Sequence, residues 1–257
     1  MVQSRTNQHD DVSRQGNSAL ERGYLVNAFD VTIIHFFNAF AGRSAMLDQA
    51  MSTRNVLVVG GVPMALFWYA WSLYGSADSE KRRVLVAGIV DSVFALFVAR
   101  VLAFSLPFRS RPFNNPALHF HLPIGVDPTA FIHWSSIPSD RATLFFCVAT
   151  ILWIVSRWLG TLAICYVFLA LCIPAIYSGV HYPTDFIVGA ALGIGVACLC
   201  KSARFTAFVA RPALSWLNTN PGLFHAVLFL WTFEIAELFT SVRHVLFHAL
   251  RYAKLMM

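Results

Sequence analysis

Long runs nearly without charge, separated by short polar clusters, set the pattern of this chain. Six of them are expected to be helices crossing a bilayer: residues 24–40, 56–74, 84–104, 142–155, 159–177 and 186–200. About 20 apolar residues in a helix cross the roughly 30 Å of hydrocarbon in a membrane. The fourth and sixth runs are short and are expected to extend into the polar motifs beside them. The first carries Asn27, Asp30, His35 and Asn38, so a re-entrant or interfacial helix is the alternative there. A different pattern follows near the end. Leu228, Trp231, Ile235, Leu238, Val242, Val245 and Ala249 recur at helical spacing, with Glu234, Glu237, Ser241, His244 and His248 on the other face. That spacing predicts an amphipathic helix on the membrane surface. The expected organisation is a polar segment over 1–23, a six-span membrane domain over 24–204 and an interfacial tail over 205–257. The fold class is all-α, a polytopic membrane bundle.

Composition agrees with a membrane protein. Apolar residues make up 57% of the 257 and charged residues only 12%, about half the share with which a soluble domain covers its surface. The polar stretch before residue 23 has no apolar core of a cleavable signal. Cys147, Cys165, Cys172, Cys198 and Cys200 lie within apolar runs at no metal-binding spacing, and read as small hydrophobes. The net charge of +6 has no basic stripe or stacking module behind it, so nucleic acid is not an expected partner. Its placement instead orients the chain. Lys81, Arg82, Arg83, Arg157, Lys201 and Arg204 fall at span ends on one side, expected to be cytoplasmic. The connection over 105–138 then lies on the outer side, and its roughly 34 residues exceed an ordinary loop.

Three motifs collect at that outer level: Arg109-Ser110-Arg111-Pro112, Pro138-Ser139-Asp140-Arg141 and His181-Tyr182-Pro183-Thr184-Asp185. A helix starting near Tyr182 puts Pro183 in the first turn, where its missing N–H costs nothing. His181 and Asp185 are four apart and can meet on one face. A carboxylate accepting one imidazole N–H leaves the other nitrogen free as nucleophile or base. Arg109, Arg111 and Arg141 supply forked donors matched to phosphate oxygens. Ser139 and Asp140 open the fourth run, where a helix N-terminus attracts anions. The plainer reading of His181 and Asp185 is an ion pair that only starts a helix, and of Arg141 an interfacial anchor. His119, His121 and His133 in the long loop are candidate proton donors; as a zinc site they lack further ligand spacing, and no metal is expected. Asp30 and Asp91, inside apolar runs, are expected to be buried pairs with a polar group such as Arg100.

These motifs resemble the type 2 phosphatidic acid phosphatase superfamily of membrane lipid phosphatases. Its signature reads Lys-x6-Arg-Pro, Pro-Ser-Gly-His and Ser-Arg-x5-His-x3-Asp. The resemblance is strongest over Gly179-Val180-His181-Tyr182-Pro183-Thr184-Asp185. It implies that Arg111 binds phosphate, Ser139 donates to it, His181 attacks phosphorus and Asp185 orients His181. The chain departs from the pattern at five positions, Asp140 at the glycine of Pro-Ser-Gly-His among them. Phe104 stands at the lysine, Arg141 at the general-acid histidine, and Pro174-Ala175 at the Ser-Arg pair. Arg100 and Arg109 are candidates to restore the missing positive charge. The missing acid points to a lipid diphosphate of the polyprenyl kind, whose leaving group needs a proton less than an alkoxide does. Transfer of phosphate or a phosphate-bearing headgroup to another acceptor, or a silent lipid-binding or transport relative, are the alternatives. No cofactor is expected. The expected location is the bacterial inner membrane, with the site facing outward.

Overall fold

The computed structural model describes residues 26–52, 57–74, 79–127, 129 and 131–240. The protein is all-helical, with no strand among the described residues. Its α-helices are α1 (Ala28–Asn38), α2 (Ala45–Ser52), α3 (Val62–Tyr74), α4 (Ser79–Ser105), α5 (Asp140–Val155), α6 (Arg157–Val167), α7 (Ile173–Tyr177), α8 (Pro183–Ala197), α9 (Ala203–Thr219) and α10 (Pro221–Ala236). A π-helical turn, Leu57–Gly61, leads into α3, and a second, Phe168–Cys172, joins α6 to α7.

Three stretches are long and apolar enough to cross a membrane: Glu80–Ser105, Arg157–Tyr177 and Pro183–Lys201. Val58–Tyr74 and Pro221–Ala236 are apolar but shorter. Two expected spans therefore look different. The 11 residues of α1 extend only about 16 Å, too short to cross, because Asn27 caps its start at Asp30 N–H and a turn follows Asn38. The 16 residues of α5 extend about 24 Å. This helix is the hub of the bundle. It packs on α4, α6 and α8, and Ala142, Leu144, Phe145, Cys147, Ile151 and Leu152 are buried on several of its faces.

Close approach of α5 and α8 depends on Gly193. A Cβ there would stand 2.2 Å from Thr143 O, so only glycine allows the two backbones this near. The contact matters because both helices begin at the same end of the molecule, where the motifs lie. The tail differs from the expected single surface helix. It folds as α9 and α10, and α10 buries Phe224, Leu228, Thr232 and Ile235. Trp68 Nε1 donates to Thr232 Oγ1 at 3.0 Å, and Trp71 Nε1 to His225 Nε2 at 3.3 Å. The helix stops at Ala236, since Leu238 and Phe239 adopt left-handed φ of 55° and 56°. The rest of the expected amphipathic stripe, from Ser241 on, lies outside the described residues.

Candidate active site

Four elements bring the three motifs together: the C-terminal end of α4, the loop after it, and the first turns of α5 and α8. Two short 3-10 turns, Pro112–Asn114 and Pro116–Leu118, fold the loop back over the bundle. Phe113 N–H donates to Gly179 O at 3.0 Å and binds the loop to the third motif. Gly179 has φ +68°, and a Cβ there would meet Phe120 Cζ at 2.6 Å. No other residue satisfies both the left-handed backbone and the ring pressed against it.

His181 sits at the centre and is buried. Its Nδ1 lies 2.9 Å from Ser136 O and 3.3 Å from Asp185 Oδ2. Both neighbours only accept, so Nδ1 carries the proton and donates, which leaves the Nε2 lone pair available. Asp185 is the expected partner, but the backbone carbonyl of Ser136 is nearer. No residue pattern reveals a carbonyl brought in by a loop. Asp185 Oδ2 also accepts from Tyr182 N–H at 2.8 Å, closing the first turn of α8. Burial holds the imidazole below its ordinary value of about 6.5, with the Arg111 charge adding to the effect and the Asp185 hydrogen bond opposing it. His181 is therefore neutral at pH 7.

The two loop arginines part company. Arg111, buried, donates from Nη1 to Val180 O at 2.8 Å and approaches His181 Nε2 at 3.4 Å. It stands on the Nε2 side, against the Phe131 ring at 4.6 Å. Arg109 turns the other way. It donates to Asp185 Oδ1 at 2.8 Å, Thr184 Oγ1 at 2.8 Å and Asp30 Oδ2 at 2.6 Å, with its guanidinium over the Tyr182 ring at 3.9 Å. The expected phosphate-binding role thus meets a side chain committed to two buried carboxylates. Asp30, fully buried in α1, also accepts from Thr184 N–H at 3.0 Å and Oγ1–H at 2.6 Å. Its partner is Arg109, not Arg100. The cost of an ionisable group in an apolar run marked Asp30 in the sequence; the identity of its partner was not marked.

On the Nε2 side two chambers meet. One of about 280 Å³ is lined by Arg100, Arg111, Ser139, Asp140, Arg141 and His181 at its polar end. Met51, Val59, Ala170, Leu171 and Leu238 form its apolar arm, beside both π-helical turns. The other, about 220 Å³, shares Arg100, Arg111, Asp140 and His181 and runs out past Phe104 and Phe108, with His133 on its wall. Phe104, at the family's lysine position, is 80% exposed. Arg100, one turn earlier on α4, takes the cationic place in the chambers, pairing with Asp140 and lying 5.2 Å from the Trp134 ring. Asp140, expected with the phosphate binders, is thus the carboxylate of an ion pair. Ser139 is the N-cap of α5, its oxygen accepting from Ala142 N–H at 3.4 Å. Ala175, where the family pattern has arginine, lies on the wall of the larger chamber.

The loop histidines separate. His133 borders the smaller chamber, whereas His119 and His121 are exposed and line neither. The backbone of His121 pairs with Asn38, donating N–H to Oδ1 at 2.9 Å and accepting from Nδ2 at 2.6 Å. Asp48, unremarked in the sequence, anchors the same region. It accepts from Gly42 N–H, Ile124 N–H and the Tyr177 hydroxyl, and these bonds, led by Ile124, hold its carboxyl below the usual range. No group of three or more metal-ligating side chains occurs among the described residues.

Known proteins similar to this chain point to one family. The PAP2 superfamily model matches residues 85–209. The bacitracin transport permease protein BcrC of Bacillus licheniformis is 28% identical over 191 residues, covering 70% of this chain and 83% of that protein. The crystal structure of Aquifex aeolicus LpxE superposes with a TM-score of 0.45 at 22% identity, over 68% of this chain and 96% of that one.

Proposed function

Because the chain belongs to the PAP2 superfamily of lipid phosphatases, we propose that it removes the terminal phosphate of a polyprenyl-type lipid diphosphate through a phosphohistidine, with phosphorus bonded to His181 Nε2. One observation carries this reading: Nδ1 is engaged by Ser136 O and Asp185, while Arg111 approaches Nε2 at 3.4 Å and His181 lines two chambers with Arg100 and Arg111, the larger also with Arg141. The terminal phosphate is placed between these arginines and the Ser139 hydroxyl at the start of α5. Nε2 attacks phosphorus, and the P–O bond to the lipid phosphate breaks.

The leaving group selects the substrate. An alkoxide leaving a monoester needs a proton, and Arg141 stands where the family pattern has its acid. A lipid phosphate monoester, with a second pKa of about 6, leaves without one. Arg141 and Arg100 then stabilise the charge that develops on it. The apolar arm of the larger chamber and the aromatic mouth of the smaller one suit a lipid chain. The site is read as facing outward because α4, α5 and α8 present it at the ends opposite Lys81, Arg82, Arg83, Arg157 and Lys201. A phosphotransferase is the second reading, favoured by two chambers sharing one nucleophile, one for donor and one for acceptor.

The test is phosphate release by the purified full chain in detergent, from a polyprenyl diphosphate and from phosphatidic acid. Release from the diphosphate at least about 100-fold faster, and its loss in His181→Ala, is the expected result. Equal rates on both substrates would refute the leaving-group argument. No release without an added lipid acceptor would favour transfer.

A further inference from the structure

We propose that Asp140 is the base that takes a proton from water when the phosphohistidine at His181 is hydrolysed; this rests on the phosphohistidine reading above. Among the described residues lining the two chambers, Asp140 is the only carboxylate, and it lines both, as His181 does. Asp185 is unsuited to the task. It is fully buried behind the imidazole and occupied by Tyr182 N–H, His181 Nδ1 and Arg109. The Asp140 side chain, by contrast, remains 26% exposed. Its Oδ1 accepts from Arg141 N–H at 2.8 Å and its Oδ2 faces Arg100. A carboxylate has about four lone-pair positions, so each oxygen retains a position for water.

Arg100 makes the arrangement compatible with an anionic substrate. A lone carboxylate here would repel a diphosphate, whereas the ion pair is neutral and keeps Asp140 ionised. The family pattern has glycine at this position and its proton-handling histidine at the next. In this chain the histidine is replaced by Arg141, which cannot accept a proton, and the preceding residue is an acid. The group able to accept a proton has moved by one residue.

The steps balance. In the first, the Nε2–P bond forms and the lipid monophosphate leaves with the electrons of the broken P–O bond. In the second, a water oxygen bonds to phosphorus, its proton passes to Asp140, and the P–Nε2 bond breaks with its electrons returning to Nε2. Asp140 then loses the proton to solvent. The sum is lipid diphosphate plus water giving lipid monophosphate, inorganic phosphate and a proton. Asp140 also begins α5, where a carboxylate favours the helix without taking any part in the reaction, so the test must separate the two roles.

Rapid-quench kinetics on a polyprenyl diphosphate labelled at its terminal phosphate separates them, in wild type, Asp140→Asn and Asp140→Glu. In Asp140→Asn we expect a burst of about one lipid monophosphate per enzyme and accumulation of label on His181. Phosphate release should then slow by about 10²–10³-fold, and Asp140→Glu should recover most of the rate. A structural role predicts the contrary: both steps slow together, no label accumulates, and glutamate gives no recovery. That result, or an Asn variant at the wild-type rate, overturns the proposal. Failure of the underlying reading is distinct, because wild type itself would then carry no label and release no phosphate.

Discussion

The two sides of the His181 ring are built on different principles. Behind Nδ1, Ser136 O, Asp185, Arg109, Thr184 and Asp30 form a buried chain of hydrogen bonds that joins α1, the long loop and α8. In front of Nε2, Arg111, Arg100 and Arg141 border open space. Three aromatic rings lie against arginines across this division: Tyr182 on Arg109 behind, and Phe131 and Trp134 on Arg111 and Arg100 in front. The rear is satisfied within the protein, so it fixes the tautomer and direction of the imidazole. The front sets Arg100, Arg111 and Arg141 along the wall of the larger chamber. At the rear Arg109 pairs with two buried carboxylates, whereas in front Arg100 pairs with the partly exposed Asp140 on a chamber wall.

Removing a charge from the rear should therefore cost mainly stability. Arg109→Met leaves Asp30 and Asp185 buried without their counter-ion, and should destabilise by about 3–5 kcal/mol, read as a fall in thermal midpoint in detergent. The same change in front should cost mainly catalysis. Arg111→Met should lower kcat/KM on a lipid diphosphate by about 10²–10³-fold, with a smaller shift in midpoint than Arg109→Met. An equal loss of stability in both variants would erase the distinction between the two sides.

Asp185→Asn sharpens the account of the rear. Ser136 O still accepts from Nδ1–H, so the tautomer survives and kcat should fall only about 10–100-fold, well short of the roughly 10⁴-fold loss where a carboxylate alone sets the tautomer. The pH profile gives a smaller effect. Burial, aided by Arg111, lowers the His181 pKa, so the acid limb of kcat/KM should lie below pH 6.5. In Asp185→Asn it should move lower still, because the hydrogen bond that opposes burial is weakened. The same shift predicts stability rising with pH between the folded value and about 6.5, since only the unfolded chain binds that proton there. The smallest effect is expected at the loop surface: His119→Ala and His121→Ala, outside both chambers, should leave kcat within about twofold.

How much of this was readable in the sequence follows the same division. The spacing of His181 and Asp185, the helix start at Pro183 and the place of Arg111 are local, and local spacing on a helix fixes neighbours. Arg109 and Arg111 lie two residues apart in an irregular loop, where no period says which way each points. Only the fold turns one inward and the other to the chambers. Asp30 stood out as a charge in an apolar run, yet its partner was 79 residues away. The helical class was written in the apolar runs, but their lengths were less informative. Within run 24–40 the described residues, from 26 on, fold as a short helix and a turn, and the tail breaks where Leu238 and Phe239 reverse the backbone. Phe104 read as a lost lysine; Arg100, one helical turn earlier, lines the same chamber as Phe104.

The most direct test of the division between front and rear is to find which nitrogen carries phosphorus. The full chain is mixed with a polyprenyl diphosphate, quenched in base where phosphohistidine survives, and the modified residue identified with its positional isomer. The account predicts phosphate on Nε2 of His181 and on no other histidine. Phosphate on Nδ1, or on His133 with His181 unmodified, would contradict it.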